Sequence, residues 1–280
     1  TQAQEDFASA KPMSEMPHPL FLPGIGSSWR IPYGIIKSKL STQNTNLEEI
    51  SRDFEKYGPI FRNKIGIMEY IQTCDADVLE AVHRVDGKYP QRMIIEGWAK
   101  WREERGLQKG IFIETDGEHW RQMRRELDKL MLRPRNVATY VDDFNDVSAD
   151  FLARLRKIMK DDLTVENMDK ELFNWSLESI GTVIYEKRFG NFNEVRDPES
   201  DEFIQAVTDM FRSTGMVAYF PPKIGKLLFP KWYELHWNAW DVIFKRGKLM
   251  IDVKMEEIQE KLANGDDVSG FLSGILASKS

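Results

Sequence analysis

Gly117-Glu118-His119-Trp120-Arg121-Gln122-Met123-Arg124-Arg125, with Leu130-Met131-Leu132-Arg133-Pro134 shortly after it, is the stretch on which the reading of this 280-residue chain turns. It predicts a helix from Gly117 to Leu132, stopped at Arg133-Pro134. Trp120 and Arg124 are four apart and so project from one side of that helix. A guanidinium offers a bidentate, charge-assisted fork, an indole adds one N–H donor beside an apolar plane, and the helix N-terminus adds partial positive charge. An anionic group on a flat, otherwise apolar ligand suits that pair. A surface Arg beside a half-buried Trp accounts for the same residues without a ligand. His119 faces away from the pair, toward solvent or a capping contact.

Outward from this stretch the chain is helical. The spacing predicts a helix over Asn136 to Lys160, with Val137, Val141, Phe144, Val147, Phe151, Leu155 and Ile158 as one apolar stripe. Asn167 to Tyr185 is more apolar all round and reads as a central helix. Ser200 to about Gly215 reads as another, with Phe203, Val207, Met210 and Phe211 inward, and Pro230 to Leu262 as one long helix. Upstream, Leu47 to Tyr57 is helical and stops at Gly58-Pro59. Residues 60–74 change to period two and predict a hairpin, after which Asp75 caps a helix to about Arg84 with Val78, Leu79 and Val82 inward. From Gly87 to Asp116 no period holds, apart from a short helix between Ile94 and Arg105, although the segment carries Met93, Ile94, Trp98, Trp101, Ile111, Phe112 and Ile113. Apolar loops of that kind usually line something. The first 46 residues are irregular and Pro-rich, yet Leu20, Phe21, Leu22, Ile25, Trp29 and Ile31 are too apolar for a free linker; they pack on the body or on a membrane. The fold class is mainly α with a small N-terminal β-hairpin.

Composition narrows the function. Lys plus Arg number 39 against 45 Asp plus Glu, a net charge of −6, which argues against nucleic acid as partner. A single cysteine, Cys74, excludes an internal disulfide and a multi-cysteine zinc site; at the end of a strand it reads as a buried, inert thiol. The four histidines, at 18, 83, 119 and 236, form no local metal motif. There is no Gly-rich phosphate loop after a strand and no nucleophile elbow. Between Met216 and Tyr233, Phe220, Leu227, Leu228 and Phe229 alternate with Lys223, Lys226 and Lys231 around three prolines. Lysines that snorkel to headgroups beside inserted apolar side chains make a monotopic membrane patch; a helix–helix connection packed on the core is the other reading. The run from Leu262 to Ser280 stops without a helix cap, as a chain cut there would.

Together these residues resemble one family. Gly117-x-x-Trp120-x-x-x-Arg124 with Leu130 to Pro134 is similar to the C helix of cytochrome P-450 haem-thiolate monooxygenases, in the mitochondrial branch that includes the vitamin D and sterol hydroxylases. Tyr57 to Phe61, Tyr89-Pro90-Gln91-Arg92, Trp175 to Ile180, Tyr185 to Gly190 and Trp240 to Lys245 resemble further segments of that branch in the right order. The resemblance implies the N-terminal half of that fold (helices A to G): an irregular segment over 1–46, then 47–280 as part of a single domain truncated before its oxygen-activating helix. It implies haem (heme b, iron protoporphyrin IX), with the axial cysteine beyond Ser280 and neither catalytic residue nor metal ligand in this portion. It assigns Trp120 and Arg124 to a haem propionate, Trp98, Ile111, Phe112, Ile113, Phe211 and Met216 to the substrate pocket, and Phe220, Leu227, Leu228 and Phe229 to the membrane-facing edge. The implied reaction inserts one oxygen atom from O₂ into a lipophilic, sterol- or secosteroid-like substrate. Electrons would pass from NADPH through a ferredoxin reductase and an adrenodoxin-like ferredoxin, on the matrix side of the mitochondrial inner membrane. A catalytically silent helical fragment, or a carrier whose Trp–Arg pair holds a fatty-acid carboxylate, are the readings without redox chemistry.

Overall fold

The computed structural model describes residues 12–23, 26–30, 45–65, 68–90, 93–194, 197–266, 268 and 270–277. Ile25, Ile31, Gln91 and Arg92, which enter the sequence readings above, lie outside them. The chain divides into two compact units, residues 1–91 and 92–280.

In the first unit, helix α1 (Thr45–Tyr57) leads into an antiparallel hairpin of β1 (Ile60–Ile65) and β2 (Met68–Thr73), paired from Ile60↔Thr73 to Ile65↔Met68. Phe61 is fully buried, with the ring of Phe54 5.2 Å away, so the alternation in β1 has a core to face. Part of the irregular leader packs on this body. Ser27 Oγ donates to Asn63 Oδ1 at 2.5 Å, Arg62 N donates to Pro17 O, and both amino groups of Arg30 reach Asp53 at 2.8 Å. Asp75 caps α2 (Ala76–Val85) by accepting from the amides of Asp77 and Val78, as its sequence predicts. Two expectations fail here. Leu79 and Val82 are 43% and 55% exposed, so α2 has no buried face, and Cys74 is exposed rather than buried because β2 ends at the unit's surface.

The second unit is helical: α3 (Glu96–Glu104), α4 (Gly117–Met131), the short α5 (Pro134–Val137), α6 (Val141–Ile158), α7 (Met168–Tyr185), α8 (Pro198–Tyr219), the short α9 (Pro222–Leu228), the long α10 (Pro230–Asn264) and α11 (Phe271–Ala277). The pairing of α8 with α10 is its spine. Trp101, Val217, Tyr233 and Trp237 form one buried cluster, and Phe189, Phe203, Ile204 and Val207 form another. The helix expected over Asn136 to Lys160 is broken by a 3-10 turn at Ala138–Tyr140, which leaves Val137 and Val141 exposed and starts the buried stripe at Val147 and Phe151.

Helix α7 departs most from its sequence reading. Leu172 and Ile180 are exposed, whereas the buried stripe contains Glu171, Asn174, Glu178, Ser179 and Thr182. Buried polar groups persist only when bonded. Glu178, with no exposed surface, accepts from Arg188 Nε at 2.9 Å and from the amides of Gly190 and Asn191 at 3.0 and 3.1 Å. Glu171 pairs with Arg154 of α6. The helix ends on Glu186 at φ +52°, a left-handed position that glycine usually takes. Its carboxylate accepts from the amide and hydroxyl of Ser273 at 2.8 and 2.7 Å and lies 3.0 Å from Lys254, which ties α7 to α10 and α11.

Candidate functional site

The start of α4 is fixed by two acids. Asp116 caps it, accepting from His119 N at 2.7 Å, while Glu114 accepts from the amides of Thr115 and Asp116 and lies 2.8 Å from His119 Nδ1. The bond from the Asp116 amide holds the Glu114 carboxyl below its usual range. His119 thus turns to the cap, away from the Trp–Arg side, as expected. Trp120, Met123, Arg124, Leu127 and Met131 share the other side; all are half-buried, and α4 has no fully buried residue. That face is apolar apart from Arg124 and, at its edge, the half-buried Asp128. The Arg124 side chain is 40% exposed and forms an ion pair with Asp128, one turn on, with Nε 2.6 Å from Oδ1. The ion pair keeps the guanidinium on this side of α4, and a bidentate anion partner would use its Nη donors.

The other assigned residues divide. Gly97 of α3 meets α8 so closely that a Cβ there would stand 1.8 Å from Val217 Cγ1. Trp98 and Met216, each next to one of those residues in sequence, are therefore brought to one crossing; Trp98 stands edge-on to Trp240 at 5.2 Å. Ile111, Phe112 and Ile113 form a tight turn in which Ile113 is buried and Phe112 is 68% exposed. Phe211 is not inward as the sequence implied but 58% exposed, and it stands edge-on to Phe173 of α7. A turn and a half separates it from Met216, so the two leave α8 in different directions.

The segment after α8 also sorts itself. Phe220 and Phe229 are half-buried and lie 5.1 Å apart at the base of α9, whereas Ile224, Leu227 and Leu228 project, with Leu227 80% exposed. Ile224 escaped the sequence reading because α9 is too short to show a period. No helix among the described residues is long and apolar enough to cross a membrane, and none of their His, Cys, Asp and Glu side chains gather in a metal-holding group. A groove of about 650 Å³ between α7 and α8, lined by Asp169, Lys170, Asn174 and Asp201 among others, shares no residue with the face of α4.

Two features were invisible in the sequence. Trp240 Nε1 donates to His236 Nε2 at 2.9 Å, which puts the imidazole proton on Nδ1, facing Ser213 Oγ at 2.8 Å. This triad, in which Ser213 and His236 are fully buried and Trp240 half-buried, joins α8 to α10, and burial pushes the His236 pKa down to about 4. At the end of α3, Glu104 accepts from Trp237 Nε1 at 2.7 Å and lies 2.9 Å from Lys226 Nζ, so it touches both α10 and α9.

Comparison with known proteins gives this geometry a context. The chain is 35% identical over 231 residues to the mitochondrial sterol 26-hydroxylase of Rattus norvegicus, covering 80% of this chain and 43% of that relative. It is 31% identical over 249 residues to the mitochondrial 1,25-dihydroxyvitamin D(3) 24-hydroxylase of the same species, covering 89% and 47%. It is 29% identical over 229 residues to the mitochondrial cholesterol side-chain cleavage enzyme of Oncorhynchus mykiss, covering 81% and 44%. The chain thus spans less than half the length of the curated relatives it matches. The family model described as cytochrome P450 matches residues 27–279, which include the capped helix with its Trp–Arg face, the α3–α8 crossing and the hairpin. The chain belongs to the cytochrome P450 family.

Proposed function

We propose that this chain is the N-terminal part of a haem-dependent monooxygenase that hydroxylates a lipophilic, sterol- or secosteroid-like substrate with O₂. The observation that carries the reading is the half-covered face of α4, where Trp120 and Arg124 stand a turn apart among apolar side chains. Its donor set fits haem: an anchored guanidinium suits a propionate, and Trp120, Met123 and Leu127 suit the apolar rim of a porphyrin. Trp120 and Arg124 would hold that propionate, and bound haem would supply oxygen activation. The chain's own residues orient and exclude water. Arg124 fixes the cofactor's acidic edge, with Asp128 as the residue that positions Arg124. Trp98 and Met216, with Ile111, Phe112 and Ile113 contributing from the adjoining turn, wall the substrate space, and Phe211, on another side of α8, stays outside it.

Residues 47–280 are read as part of one domain of this family, which the 43% to 47% coverage of the relatives supports. The relatives' names support a mitochondrial location, and placement on the matrix side of the inner membrane is our reading. The projecting Ile224, Leu227 and Leu228, flanked by lysines, support a membrane-facing edge, with Phe220 and Phe229 bracing its base. A ferredoxin of adrenodoxin type, reduced from NADPH by its reductase, is the proposed electron donor. The test uses the protein expressed from its complete gene. Arg124→Ala lowers haem content several-fold and Arg124→Lys restores part of it, read from Soret absorbance per protein; unchanged haem content in the alanine variant refutes the assignment.

A further inference from the structure

We infer that Lys226 and Glu104 form a latch between α9 and α3 that an anionic phospholipid surface releases. The inference rests on the membrane-facing reading of α9 and adds a consequence to it. Glu104 divides its carboxylate: Oε1 lies 2.9 Å from Lys226 Nζ, and Oε2 accepts from Trp237 Nε1 at 2.7 Å. The Lys226 ammonium also lies 4.4 Å from the centre of the Trp237 ring. The Trp237 bond holds the Glu104 carboxyl below its usual range, so the acid stays charged at neutral pH.

Lys226 occupies a divided position. On one side Gly225 is packed so tightly on Tyr233 that a Cβ would stand 2.1 Å from the phenol oxygen; on the other, Leu227 and Leu228 are 80% and 56% exposed. The backbone of Lys226 therefore belongs to the projecting segment, while its ammonium is held on α3. Lys223 and Lys231 are exposed at either end of α9, and Glu234 is the exposed acid on the following turn. When Leu227 and Leu228 enter the acyl boundary, Lys226 meets a layer of phosphates, and a lysine on that segment snorkels to them. An ion pair this exposed holds its partner only weakly, so headgroup phosphates compete with Glu104 for it.

Release is confined to one junction. Trp101 Nε1 still donates to Asp241 at 3.2 Å, and Arg105 Nη2 lies 2.5 Å from the same carboxylate, so α3 stays on α10 while its contact with α9 opens. Because α3 carries Trp98, the opening falls beside the proposed pocket, on the side from which a lipid-dissolved substrate arrives.

Hydrogen–deuterium exchange of the complete protein tests this, with vesicle flotation run in parallel. On phosphatidylcholine vesicles containing phosphatidylglycerol, amides at the end of α3 exchange about two- to five-fold faster, the range an exposed ion pair supports. Pure phosphatidylcholine vesicles and inorganic phosphate leave them unchanged. Lys226→Gln exchanges at the fast rate without lipid and responds no further, whereas Lys226→Arg behaves as the parent; should the glutamine variant misfold, Glu104→Gln, which keeps an acceptor for Trp237, replaces it. Unaltered α3 exchange in protein that floats with anionic vesicles overturns the latch and leaves the membrane reading standing. Protein that does not float overturns both. Equal acceleration by inorganic phosphate overturns the lipid as the trigger, and parental exchange in Lys226→Gln without lipid overturns the latch itself.

Discussion

Gly97→Ala is the substitution for which the structure makes the sharpest demand. The new methyl would stand 1.8 Å from Val217 Cγ1, and carbon atoms rest at about 3.8 Å, so α3 must withdraw from α8 by roughly 2 Å or Val217 must turn aside in a packed site. Overpacking of this kind costs about 1–3 kcal/mol, of which the better helix propensity of alanine returns at most about 1. Withdrawal would also strain the Trp98–Trp240 contact and the bonds from Trp101 to Asp241 and from Trp237 to Glu104. Val217→Ala alone removes two fully buried methyls, about 1.6 kcal/mol in transfer plus a cavity term. In the double variant the methyl introduced on α3 occupies the space that Val217 vacates, with Val217 Cβ at 3.3 Å, tight but tolerable. The loss in the double variant is therefore expected to fall short of the sum of the two single losses by about 1–2 kcal/mol in urea unfolding, a coupling normal for residues in contact. Additive losses would refute the close crossing of α3 and α8 and with it the meeting at one junction of the helix segments that carry Trp98 and Met216.

Three further outcomes are expected. Glu178→Gln puts an amide group against donors that now face a carboxylate; with Arg188 still paired to Asp150, the loss is about 2–3 kcal/mol in the unfolding free energy, and a loss below about 1 would contradict the buried clamp on the 188–191 loop. His236 has a folded pKa of about 4 against 6.5 in the open chain, so the unfolded state takes up the proton first. Stability conferred by the neutral ring is complete above about pH 6.5 and is lost as pH falls toward 4, about 3 kcal/mol in all. His236→Phe should flatten that part of the pH–stability curve, and an unchanged slope would count against the triad. Replacing Ile224, Leu227 and Leu228 together by serine should lower vesicle binding several-fold without moving the unfolding midpoint, since all three project; undiminished flotation would remove the membrane edge.

How much of this was legible in the sequence varies with the range of the forces involved. The longer helices, the hairpin, the Asp75 cap and the shared side of Trp120 and Arg124 follow from periodicity and local hydrogen bonding, which act within a few residues. The family was legible too, because its motifs recur in order along the chain. Burial was not. Leu79, Val82, Leu172, Ile180 and Phe211 are as apolar as the residues that do reach the core, but which stripe of a helix is covered depends on what packs there.

The sequence by itself determined the longer helices, the hairpin, their order and the placing of Trp120 and Arg124 on one side of α4. Only the tertiary structure decided that Gly97 admits Val217, that α7 turns an acidic stripe inward around Glu178, and that Glu104 joins Trp237 of α10 to Lys226 of α9. Those partners stand 120, 10 to 13, and 122 to 133 positions apart along the chain. No local pattern encodes such a pairing. It exists because a buried donor, acceptor or void is costly until some distant part of the chain satisfies it.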